Sequence, residues 1–437
     1  MLTIDNVLYL LTDVLGISSQ SIASCSINEG SISVQFKTRE TVYQEALFDF
    51  DSPVLTNDDY ELLTTICFEC VKSQKNDSAL KNLYKTISVQ DISFLKLAHY
   101  FVNEHYLSTP QILDDHKRVT SESVYSDVIQ YLNYPMVDVL IDIFTFRYLA
   151  TTKQNGTVYF TSDFDYINLW KYLGFFKTIW RFIKHCIFLR RLLLIEEFWS
   201  LWLSQKFLRR NFMLTNKMFL FKETIGQTLN VKNIAFLLVH KSHKKYDYKN
   251  DFSILPFKEY LFTNIGHVAF GLHPSYNTRY EPETMEKQIE KFEQAVIERP
   301  RYSRFHYLNC SYPNDLLPLE KSRITQDFSF YFCDKLMFRG CITRPFKQWS
   351  YSENRAIDVE IIPLTIMDVT LSKTLTCKYN EALSLAKEKI RLSLLLGNSC
   401  VLLWHNNEMY EPLYRKNYSR KLLLALKNYI EELEMVR

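Results

Sequence analysis

Four short stretches of this 437-residue sequence bring together residue types that cooperate in acid–base and metal chemistry. Ser162-Asp163-Phe164-Asp165 sets two carboxylates two residues apart at the end of an apolar run. Strand side chains alternate, so Asp163 and Asp165 project to one side and into one pocket. Two such like charges raise one pKa unless a cation accompanies one of them, an arrangement that suits a base beside a metal ligand. A solvated turn can carry the same D-x-D pattern. In Gly271-Leu272-His273-Pro274-Ser275-Tyr276-Asn277, Pro274 fits a first helical position, which puts His273 and Asn277 about one turn apart on one side. A satisfied structural histidine is the plainer reading of that stretch. Arg304 and His306 are again two apart and co-facial, and Trp404-His405-Asn406-Asn407 closes a later apolar run with a polar triplet. Each signal alone is weak. Jointly they place two carboxylates, three histidines and an arginine at the ends of four separate expected strands.

The elements that must position these groups are seven short apolar runs, at 157–162, 234–239, 267–272, 303–308, 328–332, 359–365 and 400–404, separated by helical stretches. Alternation of this kind predicts an α/β fold, an irregular (β/α)7 barrel over 151–437, whose chemistry sits at the carboxyl ends of the strands. Residues 1–150 read as a smaller α+β N-terminal domain of unassigned role. A strand is expected at 31–36 and helices at 58–71, 89–106 and 125–151. The turn-forming Lys153-Gln154-Asn155-Gly156 marks the boundary.

Composition excludes several classes. Only 9 glycines are present, far below the roughly 7% usual, and none forms a dinucleotide or P-loop fingerprint. A net charge of +3 is too small for a chain that coats nucleic acid. The 9 cysteines are odd in number and scattered, with one C-x-x-C pair, Cys67 and Cys70, in a helix-like apolar stretch that reads as buried thiols rather than a redox or metal site. The N-terminal MLTIDNVLYLL lacks a basic n-region and carries Asp5, so the expectation is an intracellular, cytoplasmic protein. The most apolar stretch, 174–203, is interrupted by Lys177, Arg181, Lys184, Arg190, Arg191, Glu196 and Glu197, so no transmembrane helix is expected. It lies in a basic, aromatic insertion at about 170–228. Within 171–210, nine Lys and Arg stand against two Glu, and Lys177, Arg181 and Lys184 share a helical face beside Phe176, Trp180, Ile183 and Ile187. That is the pattern of a helix pair covering the barrel with solvated basic edges, or, in a sharper reading, of a helix that lies on an anionic membrane, here the inner face, or folds over the site as a lid gripping an acidic glycan.

The order of motifs resembles the polysaccharide deacetylase family (NodB homology domain, carbohydrate esterase family 4), in a divergent branch that carries an uncharacterised N-terminal domain. The resemblance spans roughly 158–408 and is carried by GLHPSYNT at 271–278, SRFHYL at 303–308, FRGCITRPF at 338–346, IMDVTL at 366–371 and VLLWHNN at 401–407. It implies a metal-dependent hydrolase that removes acetyl groups from an acetylated saccharide or lipid-linked glycan, with a divalent cofactor, zinc by expectation. By the same resemblance Asp163 is the base, Asp165 and His273 are metal ligands, Arg304 orients the base, Asp327 is the counterpart of a further conserved acid, and His405 is the general acid. Asn277 stands where the family has its second metal histidine. His306, where the family has proline, is the residue able to supply the missing nitrogen. A non-catalytic glycan-binding or scaffolding protein with a degenerate metal site, or hydrolysis of another linear amide, are the alternatives the residues leave open.

Overall fold

The computed structural model describes residues 2–28, 30–37, 42–73, 92–149, 156–165, 230–253, 257–258, 261, 266–396, 399–406 and 418–435. The basic insertion, the 153–155 part of the boundary turn and Asn407 lie outside the described residues.

The chain opens with helix α1 (Ile4–Tyr9), started by a capping box in which Thr3 and Asn6 satisfy each other's backbone N–H groups. An antiparallel meander follows, β1 (Ile22–Asn28), β2 (Ser31–Phe36) and β3 (Val42–Ala46). Along β2, Ile32, Val34 and Phe36 are buried while their neighbours are not, the period-two pattern of a strand with one face on a core. Helices α2 (Asn57–Ser73), α3 (Phe94–Val102) and α4 (Met136–Tyr148) cover that face. Phe36, Tyr43, Phe94, Phe144 and Tyr148 meet there edge to face.

The rest of the chain builds an eight-stranded parallel sheet in the order β11-β8-β7-β6-β5-β4-β13-β12. Its strands are β4 (Thr157–Phe164), β5 (Asn230–Leu237), β6 (Ala269–Leu272), β7 (Tyr302–Ser303), β8 (Gln326–Asp327), β11 (Glu360–Ile361), β12 (Ile366–Met367) and β13 (Ser399–His405). A flat sheet of eight strands would hold its edges about 34 Å apart. The edge strands β11 and β12 are joined by residues 362–365 alone, a reach of at most about 18 Å. The sheet therefore curls into a half-barrel, and the joining segment ties its edges together: Leu364 N–H donates to Phe330 O (3.1 Å) and Thr365 N–H to Val401 O (3.0 Å).

Parallel strands covered on both faces read as continuous apolar runs, and β4 is buried from Val158 onward. Tyr159, Ile234, Phe236, Val401 and Leu403 fill the inner side. Val158, Phe160, Cys400, Leu402 and Trp404 meet the outer helices α7 (Tyr379–Leu395) and α8 (Tyr418–Met435). Helices α5 (Met285–Val296) and α6 (Leu316–Lys321) follow β6 and β7.

The structure departs from the sequence expectation in several places. The sheet has eight strands where seven were expected. The expected helix at 125–151 begins only at Met136, after a 3-10 turn at Ile129–Asn133, and that at 89–106 is α-helical over Phe94–Val102. The run 328–332 is not a strand: Phe330 and Phe332 are buried against Tyr312, Phe346 and the Arg339 guanidinium, and Phe328 against Tyr159, Phe236 and Tyr302, by ring contacts rather than by a ladder. The run 303–308 leaves the sheet after Ser303 and turns through Tyr307 and Leu308, whose φ values of 60° and 53° no strand adopts. The run 359–365 divides, its ends pairing with opposite edges. Between β8 and β11 the described chain forms no α-helix. It makes a small hairpin instead, β9 (Trp349–Ser350) with β10 (Arg355–Ala356).

Candidate metal centre and its flanking acid and base

Sheet parity decides what reaches the inner face. Tyr159 points inward on β4, so Asp163 does too, with Asp165 two residues further on and one beyond the end of the strand. On the adjacent β13, Val401 and Leu403 point inward, and so does His405, which stands opposite Asp163. On the other side of β4, Asp163 is level with Phe236, and Phe236 with Gly271 of β6. A Cβ on Gly271 would lie 2.6 Å from the Phe236 ring, so glycine is what lets that ring sit at this level. The ring in turn lies 4.5 Å from the Arg304 guanidinium.

Arg304, fully buried, donates from Nη1 to Asp163 Oδ1 (2.9 Å) and from Nε to Phe328 O (3.1 Å). Asp163, itself buried, is therefore held beside a fixed cation. His273 follows β6 directly, and its Nδ1 donates to the backbone carbonyl of Arg304. His306 Nδ1 donates to Asp247 Oδ1 (2.8 Å). An acceptor at Nδ1 fixes the tautomer and leaves the lone pair on Nε2. Both Nε2 atoms face the same carboxylate oxygen: Asp165 Oδ1 lies 3.3 Å from that of His273 and 3.5 Å from that of His306. His273 Nε2 and Asp165 Oδ1 are buried with no hydrogen-bond partner among the described residues.

Three lone pairs directed at one another repel unless a cation lies among them. Asp165, His273 and His306 are a buried group whose ligand atoms all fall within 4.8 Å, and they can hold a metal ion. Two imidazole nitrogens and a carboxylate oxygen are a donor set that suits a divalent metal ion. In the protein alone, protons take part of that role. Burial opposes it, but Asp163 and Asp165 raise the His273 imidazole, and His306, His273 and His405 hold Asp165 well below the usual carboxylate range although burial alone would raise it.

His405 carries its own carboxylate. Its Nδ1 and backbone N–H both meet Asp368, each at 2.8 Å. Burial lowers the imidazole, but the Asp368 charge outweighs it and pushes the value up to about 10, so His405 is protonated at neutral pH.

The sequence-designated residues are thus not all in one place. Asp163, Asp165, His273, Arg304, His306 and His405 form a single cluster at the inner face. Asn277 turns away: its amide donates to Glu281 Oε1 (3.3 Å) and its backbone N–H to Ser242 Oγ (2.9 Å). Asp327 lies behind Arg304, taking hydrogen bonds from Ser303 Oγ (2.8 Å), Ser329 Oγ (2.9 Å) and the Tyr312 hydroxyl, with burial raising its carboxyl. It braces β7 and the following turn rather than facing the pocket residues.

Two residues were not singled out from the sequence, Asp247 and Asp368. Asp247 is buried and also accepts from Ser242 Oγ (2.8 Å) and from the backbone N–H groups of Ser242, His243 and Tyr276. Burial raises its carboxyl, but His306 and those donors outweigh it and bring it down to about 2. Asp368 follows β12 by one residue, a position at a strand's carboxyl end that could have marked it.

Aromatic rings surround His306. Tyr307 lies 4.7 Å from it and 4.5 Å from His116, which belongs to the N-terminal region, and Tyr246 lies 4.4 Å from Tyr276 and 5.3 Å from Tyr307.

No family model matches the chain, and no curated protein matches it. Among solved structures it is similar to a protein described as a "putative polysaccharide deacetylase" from Mycobacterium smegmatis, at 12% identity and a TM-score of 0.39, over 65% of this chain and 86% of that one.

Proposed function

We propose that the protein is a metal-dependent hydrolase that removes acetyl groups from an acetylated saccharide. The observation that carries the reading is the convergence of the Asp165, His273 and His306 lone pairs between a carboxylate paired with arginine, Asp163, and a protonated histidine, His405. Asp165, His273 and His306 would hold a divalent ion, zinc by their donor set, and that ion would supply a lowered pKa for water and polarisation of an acyl carbonyl. Asp163, held in place by its hydrogen bond from Arg304, takes the proton of the attacking water. As the bond from the acyl carbon to nitrogen or oxygen breaks, His405 gives its proton to the leaving amine or alkoxide, and Asp368 restrains the imidazole that does so. Acetate and the free sugar group are the products. The exposed Tyr307 and the half-buried Tyr246 offer apolar ring faces against which a sugar ring can lie, with the buried Tyr276 packed behind them.

The roles separate experimentally. Asp163→Asn should abolish acetate release from an N-acetylated oligosaccharide while metal content stays at wild type, because a base is needed only for proton transfer. Asp165→Asn should lose both. Equal metal loss in the two variants, or acetate release persisting in Asp163→Asn, would overturn these assignments.

A further inference from the structure

The segment that carries Asp247 also walls a cavity of about 550 Å³ that the proposed chemistry does not use. His240, Lys241, Lys244, Lys249, Lys258 and Lys291 line it, and Asp251 is the one carboxylate among the described residues of its lining. Among the described residues none of these five lysines is ion-paired with a carboxylate. Lys291 is half-buried and donates to His240 Nδ1 (2.8 Å), with Lys287 and Lys249 adding positive charge around it. Like charges gathered in a concavity repel, and an anion bound among them removes that cost. The volume is that of a small-molecule site. Five lysines exceed what one carboxylate neutralises, whereas a phosphoryl or diphosphoryl group matches both the charge density and the point-charge recognition that lysine provides.

The cavity also adjoins the candidate centre. Ser242 and His243, on its wall, donate to Asp247, the partner of His306, and the amide of Asn250 donates to the backbone carbonyl of Asp165 (2.9 Å). We infer that this cavity binds a phosphoryl or diphosphoryl group, and, resting on the hydrolase reading, that this group is borne by the saccharide substrate.

Calorimetric titration of the full chain with inorganic pyrophosphate tests the cavity directly. Saturable one-to-one binding is expected, weakened about tenfold or more in Lys249→Gln/Lys291→Gln and unchanged in Lys421→Gln on α8. Lys244→Gln/Lys249→Gln removes two exposed side chains and should weaken binding in the same direction, which guards against a folding defect in the first variant. Pyrophosphate affinity should persist in His273→Ala stripped of metal, so failure of the hydrolase reading leaves this result standing. Absence of saturable binding, wild-type affinity in both double variants, or loss of binding in His273→Ala would overturn the inference. To separate a substrate-borne phosphate from a free one, uridine diphosphate N-acetylglucosamine is titrated in competition. Competition with an affinity that falls about tenfold on chelation supports a ligand spanning both sites. Competition indifferent to chelation, or none, overturns the substrate assignment and leaves a free phosphate as the ligand.

Discussion

At the scale of single residues, the candidate centre depends on what lies behind its ligands as much as on the ligands. His306 offers Nε2 because Asp247 accepts from its Nδ1, so Asp247→Ala should weaken metal affinity by roughly 10- to 100-fold, and Asp247→Asn, whose amide oxygen can still accept, by less. Competition titration with a chromogenic chelator measures both. His273 must shed its proton to bind a cation, and Asp163 and Asp165 raise its pKa, so metal affinity should fall as pH is lowered through neutrality. An affinity independent of pH between about 5 and 8 would contradict that account. His405 gives a sign that can be read in stability. Its folded value of about 10 lies above the roughly 6.5 of an unfolded histidine, so the stability from its pair with Asp368 is complete below the lower value. It is lost as pH rises through the upper one. Asp368→Asn should cost about 3–5 kcal/mol in denaturant melts at pH 6, with the gap to wild type closing toward pH 10. These two carboxylates are also where the sequence was least legible. Asp163, Asp165, His273, Arg304, His306 and His405 announce themselves by spacing of two or by position at the end of an apolar run. Asp247 sits in an irregular lysine-rich stretch where no period says which way a side chain turns, and only tertiary contact selects it.

Among elements, the β5, β6 and β7 ends form a relay in which Gly271 admits Phe236 and Phe236 supports Arg304. Gly271→Ala should therefore cost about 1–3 kcal/mol in denaturant melts and lower the turnover number with it, since the displaced ring disturbs the Arg304 to Asp163 hydrogen bond. Wild-type turnover in a destabilised Gly271→Ala would show that the ring packs the core without positioning the arginine. Long buried strands such as β4, β5 and β13 were readable because both faces are covered and the apolar run is continuous. The 328–332 run misled for the same reason, since a burial pattern does not distinguish a ladder from a cluster of rings around Arg339. Nor could local pattern foresee that 360–367 serves both edges of the sheet, which is a property of closure rather than of the segment.

For the molecule as a whole, the N-terminal region and the half-barrel share one buried apolar cluster, running from Leu2 through Phe144 to Leu396. Buried ion pairs cross between them, Arg339 with Glu104 (2.6 Å) and Arg344 with Asp138 and Asp142. Removing one partner of such a pair strands the other, so Glu104→Ala should cost about 3–5 kcal/mol and lower the melting of the whole chain rather than of one part. His116 and Arg118 bring the same region to the aromatic rings of the pocket mouth, Arg118 donating to Tyr307 O (2.7 Å). No helix among the described residues is long and apolar enough to cross a membrane. Whole-chain metal stoichiometry, with zinc or cobalt titrated into chelator-stripped protein and followed by thermal melting, bears most directly on the central claim that Asp165, His273 and His306 hold a catalytic cation. One equivalent per chain with a metal-dependent rise in melting temperature, both abolished in His273→Ala and in His306→Ala, is the predicted result. Absence of stoichiometric binding, or binding undiminished in those variants, would contradict it.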